Sequence, residues 1–277
     1  MKTLDLPARQ KTLAVLALAA VAACCRPGAA ADPKPDAQPQ ARNVIVLIVD
    51  GCGAEAYTLA RWFQGGPLAA DAIRTGAVKT FIADSVVADS APAGSTYATG
   101  VRTSDNFISV GPKNQTLSTL PSPPEELRYR PLATVLEGAR LLGKSTGIVV
   151  TCRVSHATPA AFLAHVADRH EENDIMEQAV YQNTDVVFGG GLDYLLPKSA
   201  GGKRADGENL AGVLTRRGYR ILKTRQELAA CDRARVFGLF AASHMAAEID
   251  RPELAPTEPT LEEMTRKAIE LLSKNPK

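Results

Sequence analysis

Aromatic residues are scarce in this chain, 5% of 277 positions with a single tryptophan, so it lacks the ring platforms on which single-stranded nucleic acids stack. Charge of one sign is lacking too. Lys and Arg number 32 against 30 Asp and Glu, a formal net charge of +2 with the two signs interspersed. That balance leaves no electrostatic footprint for nucleic acid or for an anionic membrane surface. The five cysteines, Cys24, Cys25, Cys52, Cys152 and Cys231, form no C-x-x-C pair, which excludes zinc-knuckle and thioredoxin-like motifs. No apolar run reaches the ~20 residues of a spanning helix. What is present is ordinary globular composition, 45% hydrophobic and 22% charged, enough for one large α/β domain or two small ones.

The first residues read as an export signal over 1–31. Lys2, Arg9 and Lys11 form a basic start, and Thr12 to Ala23 is a short apolar run. Two processing readings stand side by side. Ala29-Ala30-Ala31 offers a small-residue cleavage site that would release a soluble protein. Val21-Ala22-Ala23-Cys24 resembles a bacterial lipobox, in which Cys24 would carry a lipid anchor and tether the protein to a membrane. Either way the expected location is periplasmic or extracellular. Cleavage after Ala31 would leave three cysteines, either one bridge plus a free thiol or, more simply, three buried thiols. A Pro- and Ala-rich linker over 32–42 would lead to a domain over 43–277.

Within that domain, Asn43 to Val49 is a continuous apolar run that predicts a central strand buried on both faces. A helix is expected over Ala54 to Phe63, another over Leu132 to Leu142, and a strand over Gly147 to Thr151. Further strands are expected at Asp185 to Phe188 and Val236 to Phe240. Helical patterns occupy Asn173 to Gln182, Leu210 to Arg217 and Leu261 to Leu272. Buried strands alternating with helices predict an α/β fold, a mostly parallel sheet covered on both faces.

Three segments carry chemistry. Asp50-Gly51-Cys52-Gly53 follows the first apolar run, and ligands in open α/β sheets bind beyond the carboxyl ends of strands. The plainer reading of Asp50 is a turn residue that caps the next helix. Ser90 stands before a small-residue helix ending at Gly100, where backbone N–H groups and the helix dipole suit a phosphate. The plainer reading of Ser90 is a helix cap. No histidine stands near it in sequence to act as a base, so a metal would have to activate it. Finally, His156-Ala157-Thr158-Pro159 follows a strand, with Pro159 expected at the first position of a helix carrying Arg169. His156 and Thr158 could serve a hard cation, or His156 could be only hydrogen-bonded; His165 reads as structural.

Taken together and in order, Asp50-Gly-x-Gly53, Asp89-Ser90-Ala91 leading to Ala98-Thr99-Gly100, and His156-Ala-Thr-Pro-Ala-Ala161 followed by Ala164-His165-Val166-x-x-Arg169 resemble the alkaline phosphatase family. Phe188-Gly-Gly-Gly191, Gly238 to Met245 and Glu262 to Pro276 are similar to family segments as well. The resemblance implies hydrolysis of phosphate monoesters, two zinc ions and one magnesium ion as cofactors, and a homodimer. It implies that Ser90 is the nucleophile that becomes phosphoserine and a zinc ligand, and that Arg169 clamps two phosphate oxygens with its planar fork. Asp50 would bridge a zinc and the magnesium, and Thr158 would bind magnesium with His156 beside it. In this family that last place holds Asp or His, and His weakens the magnesium site.

The resemblance also implies that most zinc ligands, three histidines and two aspartates, and a magnesium-binding glutamate come from a following part of the chain. The histidines at 156, 165, 170 and 244 do not match those positions, so the expectation is a core whose C-terminal part is missing. Three readings stay open. The first is a fragment of an ordinary phosphatase. The second is a non-catalytic relative that binds phosphate. The third is a sister-branch phosphodiesterase or sulfatase, although Gly94 stands where the sulfatase pattern Ser-x-Pro-x-Arg has its Arg. Cys52 and Pro92 are minor departures from the family pattern.

Overall fold

The computed structural model describes residues 41–113, 117 and 124–277. The expected export signal, Cys24 and Cys25 lie outside the described residues, as does most of the 32–42 linker. The chain divides after Leu47, and the elements described below belong to Ile48–Lys277.

In chain order the helices are α1 (Ala54–Gln64), α2 (Ser90–Thr99), α3 (Val135–Leu141), α4 (Ala157–Leu163), α5 (Glu172–Tyr181), α6 (Leu210–Arg216), α7 (Arg225–Ala229), α8 (Arg251–Leu254) and α9 (Leu261–Leu272). The strands are β1 (Gly147–Arg153), β2 (Val186–Gly190), β3 (Arg220–Leu222) and β4 (Val236–Leu239), in the order β1-β2-β4-β3. Every pairing is parallel, with Gly147 beside Val186, Val186 beside Val236, and Arg220 beside Val236. Parallel strands need crossovers, and the intervening helices provide them.

Alternation along the strands divides the core. Val187, Phe237 and Leu239 face one way and pack with Met176, Val180, Leu210 and Leu214 of α5 and α6. Val186, Phe188 and Val236 face the other way and pack with Leu228, Met264, Ala268 and Leu271 of α7 and α9. Both sheet faces are therefore covered by helices, as the sequence pattern predicts. Helix starts follow capping rules: Thr134 with Glu137, Thr224 with Glu227 and Thr260 with Glu263 each form a reciprocal capping box.

The apolar run 43–49 departs from expectation. None of its residues forms a strand, and Val44 and Leu47 are 77% and 81% exposed. An apolar run becomes a buried strand only where neighbouring strands take up its backbone groups and cover its side chains. Among the described residues the four-stranded sheet does not extend to it. Helix α4 also differs. It begins at Ala157, so Pro159 is its third residue, where a missing N–H is still harmless. It ends at Leu163 because Ala164 is extended, so Arg169 lies on the following segment and not on the helix. The same rule explains Pro92, the third residue of α2. The three described cysteines are unbridged, but only Cys231 is buried; Cys52 and Cys152 are half-buried.

Candidate active site

The residues singled out in sequence form two hydrogen-bonded groups. In the first, Asp50 stands in a turn that Gly51 allows, with φ at +67°, a region most side chains avoid. Its carboxylate takes two hydroxyl donors from distant parts of the chain. Ser90 Oγ donates to Oδ1 at 3.0 Å, and Thr158 Oγ1 donates to Oδ2 at 2.6 Å. Ser90 is the first residue of α2, and Thr158 the second of α4.

These helices are brought together by small side chains. A Cβ on Gly94 of α2 would stand 3.2 Å from the Ala161 Cβ and 3.5 Å from the Thr158 Cα, so glycine lets α2 press against α4. Ala91, Ala98, Ala157, Ala160 and Ala161 are all fully or almost fully buried. The Ser95 hydroxyl in the middle of α2 donates to the Ala91 carbonyl and accepts from the Ser109 N–H, each at 2.7 Å.

The second group is centred on Arg169. Its Nη1 donates to both oxygens of Asp89, at 2.7 and 2.6 Å, and its Nη2 donates to His156 Nε2 at 3.0 Å. A guanidinium only donates, so His156 accepts at Nε2 and carries its proton on Nδ1. That Nδ1 is buried without a partner. Burial, and then the nearby charges of Arg169 and Arg153, hold the imidazole below its ordinary range and keep it neutral. Burial pushes the Asp89 carboxyl up, but hydrogen bonds from Arg169 and the Ser90 and Ala91 N–H groups outweigh it and hold it below the usual range. Asp89 is also the N-cap of α2. The Arg169 segment is held by an antiparallel bridge between Ile108 and Val166 and by the Arg169 N–H on the Asn106 carbonyl at 2.9 Å.

Asp89 precedes Ser90 and His156 precedes Thr158 by two residues, so the chain itself joins the two groups. A cleft of about 410 Å³ is lined by Asp89, Arg153, His156, Arg169 and Glu172, with Asp105, Asn106, Ala157 and His170 completing its wall. His165 lies apart from it. Its Nδ1 meets the Ser109 carbonyl at 2.9 Å and its Nε2 meets Glu137 at 3.2 Å, a structural tie between α3 and the segment after α4.

As a donor set, Asp50 and Thr158 are hard oxygen ligands that suit a cation such as magnesium. Zinc needs more than they offer. Among the described residues no three His, Cys, Asp or Glu side chains gather into a metal-binding group. The described residues therefore do not by themselves compose the two-zinc centre expected from the sequence resemblance.

Residues 41–277 match the family model for alkaline phosphatase. The chain belongs to the alkaline phosphatase family. It is 31% identical to the tissue-nonspecific alkaline phosphatase of Rattus norvegicus over 86% of its own length and 52% of that protein's. Against alkaline phosphatase 4 of Bacillus subtilis it is 32% identical, covering 89% of this chain and 51% of the relative. Among solved structures, the alkaline phosphatase of Thermus thermophilus superposes with a TM-score of 0.66 at 31% identity, over 80% of this chain and 43% of that one. The chain spans about half the length of the curated alkaline phosphatases it matches.

Three charged residues of the site, Asp89, Arg153 and Glu172, do not stand out in the sequence. Asp89 stands inside a quoted motif, but nothing local marks it as the partner of a residue 80 positions away. Glu172 belongs to no motif; its neighbours become apparent only in the fold.

Proposed function

We propose that this chain carries the nucleophile-bearing part of a metal-dependent phosphate-monoester hydrolase that works through a phosphoserine on Ser90. The observation that carries this reading is the convergence of Ser90 and Thr158 hydroxyls on the two oxygens of Asp50, at the start of α2 and α4. The Asp50 carboxylate orients Ser90 Oγ and accepts its proton as the oxygen bonds to phosphorus. The ester P–O bond breaks, and the leaving oxygen takes a proton from water and departs as the alcohol. A second water then cleaves the phosphoserine to inorganic phosphate and free Ser90. Arg169, steadied by Asp89 and His156, presents a planar cation for phosphate oxygens. The positive end of α2 favours negative charge at Ser90. Magnesium held by Asp50 and Thr158, with His156 nearby, would supply fixed positive charge against the dianionic substrate. A zinc pair as cofactor would need ligands beyond the described residues.

The substrate class is a phosphate monoester. A relative from Streptomyces griseus, 31% identical over 94% of this chain and 65% of its own length, is a streptomycin-6-phosphate phosphatase, itself named for a monoester. A solved variant of the TAB5 alkaline phosphatase has magnesium bound in its M3 site. The signal-like residues 1–31 support export to the periplasm or beyond, either released by cleavage after Ala31 or tethered through a lipid on Cys24, and homodimerisation belongs to the same reading. The test is hydrolysis of a chromogenic phosphate monoester at alkaline pH with zinc and magnesium supplied, comparing wild type with Ser90→Ala and Asp50→Asn. Turnover that both substitutions abolish supports the reading; turnover that survives Ser90→Ala contradicts it.

A further inference from the structure

We propose that Glu172 is a positioning residue that fixes Thr158 and Arg169 relative to each other; the catalytic side of this inference rests on the function proposed above. Glu172 is the first residue of α5 and follows Arg169 by three positions. Its carboxylate reaches back across the cleft to the turn that ends β1. Oε1 accepts from Arg153 Nη2 at 2.7 Å, and Oε2 accepts from Arg153 Nε at 2.5 Å and from Ser155 Oγ at 2.7 Å. The Glu172 and Arg153 side chains are 16% and 20% exposed, so solvent screens this forked pair little.

Arg153 and Ser155 bracket the turn that delivers His156 and then Thr158. On its own that turn is held by two backbone hydrogen bonds, Val154 N–H to Gly190 at 3.1 Å and His156 N–H to Arg153 at 2.9 Å. Both lie on the β1 and β2 side, and neither fixes its distance from Arg169. Two direct side-chain ties cross that gap, beside the longer route from Arg169 through Asp89, Ser90 and Asp50 to Thr158. One is the single contact between Arg169 and the neutral His156. The other is the threefold grip of Glu172, and it is ionic. Burial pushes the Glu172 carboxyl up, but the hydrogen bonds from Arg153 and Ser155 hold it below its usual range, so the grip stays charged.

Glu172 also offsets the charge of Arg153, whose Nη1 lies against His244 Nε2, with the His244 ring 5.5 Å from the His156 ring. Both Glu172 oxygens are occupied by these partners. Its part is to hold the turn, and contact with substrate is left to Arg169.

The experiment uses the full chain as wild type, Glu172→Ala, Glu172→Gln and Glu172→Asp, with two readouts. Hydrogen exchange over residues 153–158 reports the turn directly. Steady-state hydrolysis of a phosphate monoester reports its consequence. The expected result is faster exchange over 153–158 in the Ala and Gln variants while β2 and β4 stay protected. A fall in kcat of about 10–100-fold, with KM changed far less, accompanies it, because ångström-scale misplacement costs about that much. Glu172→Asp recovers part of both. Unchanged exchange over 153–158 overturns the inference, and so does raised exchange with unchanged kcat. If the wild type hydrolyses no monoester, the proposed function fails on its own, and the exchange comparison still decides whether Glu172 holds the turn.

Discussion

Removing the charge that steadies Arg169 is the perturbation with the most readable consequence. Asp89 takes Arg169 Nη1 on both oxygens, at 2.7 and 2.6 Å, and the two side chains are 34% and 17% exposed respectively. A hydrogen bond involving a charged group contributes about 1.5–3 kcal/mol, and the part-exposed Asp89 places this pair at the lower end, about 1.5–2 kcal/mol. If that energy holds the guanidinium in its working orientation, its loss lowers kcat/KM by about 10–30-fold. Asp89 also caps α2, so two substitutions are needed to separate the effects. Asp89→Asn keeps a side-chain oxygen for the cap but loses the ion pair. Asp89→Ala loses both and costs about 1 kcal/mol more in stability. The assay is monoester hydrolysis with thermal unfolding measured in parallel. The reasoning is refuted if Asp89→Asn turns over within about two-fold of wild type, since the ion pair would then contribute nothing to the transition state.

Other consequences reach further into the fold. Burial pushes the Glu137 carboxyl up, but hydrogen bonds from Gln182, the Thr134 N–H and His165 outweigh it and lower its pKa from 4.5 to about 2. Because the folded value lies below the unfolded one, this stabilisation is present above about pH 4.5 and is lost as pH falls toward 2; after solvent screening it amounts to roughly 1–2 kcal/mol. Urea titrations across that window should show a shallower acid loss for Glu137→Gln than for wild type. Burial raises the Cys152 thiol from 9.0 to about 11. Iodoacetamide at pH 8 should leave it unmodified in the native protein and label it on unfolding. Gly94→Val drives a branched side chain against Ala161 and the Thr158 backbone; the expected cost is about 1–3 kcal/mol in unfolding free energy, with monoester hydrolysis reduced as α2 and α4 separate.

Much of the fold was legible because burial imposes pattern. The β-branched run at 147–151 and the apolar run at 236–240 read as strands between helical patterns, and the apolar spacing of Met264, Ala268 and Leu271 marks α9 over Leu261–Leu272. Strand β3 was not legible: three residues, Arg220-Ile-Leu222, are too few to display a period, and it forms because Val236 and Phe237 stand ready beside it. The run 43–49 misled for the opposite reason. Its composition is that of a buried strand, but burial depends on neighbours that composition does not contain. At the site, Asp50, Ser90, His156 and Thr158 stand at a glycine turn, a helix start and a strand end, but locally each also reads as a plain turn, cap or hydrogen-bonded residue. It was the ordered set of motifs, Arg169 included, that marked them through the family resemblance. Asp89 and Glu172 did not stand out, since an acidic residue at a helix start usually needs no partner beyond the helix. Their arginine partners lie 80 and 19 positions away.

The central claim is that Ser90 takes the phosphoryl group. The most direct measurement is intact-mass and peptide mass spectrometry of the protein, supplied with zinc and magnesium, quenched in acid during incubation with a phosphate monoester. A phosphoryl adduct confined to the peptide bearing Ser90, and absent from Ser90→Ala, is the predicted result. An adduct on another residue, or hydrolysis proceeding with no adduct at Ser90, would contradict the account.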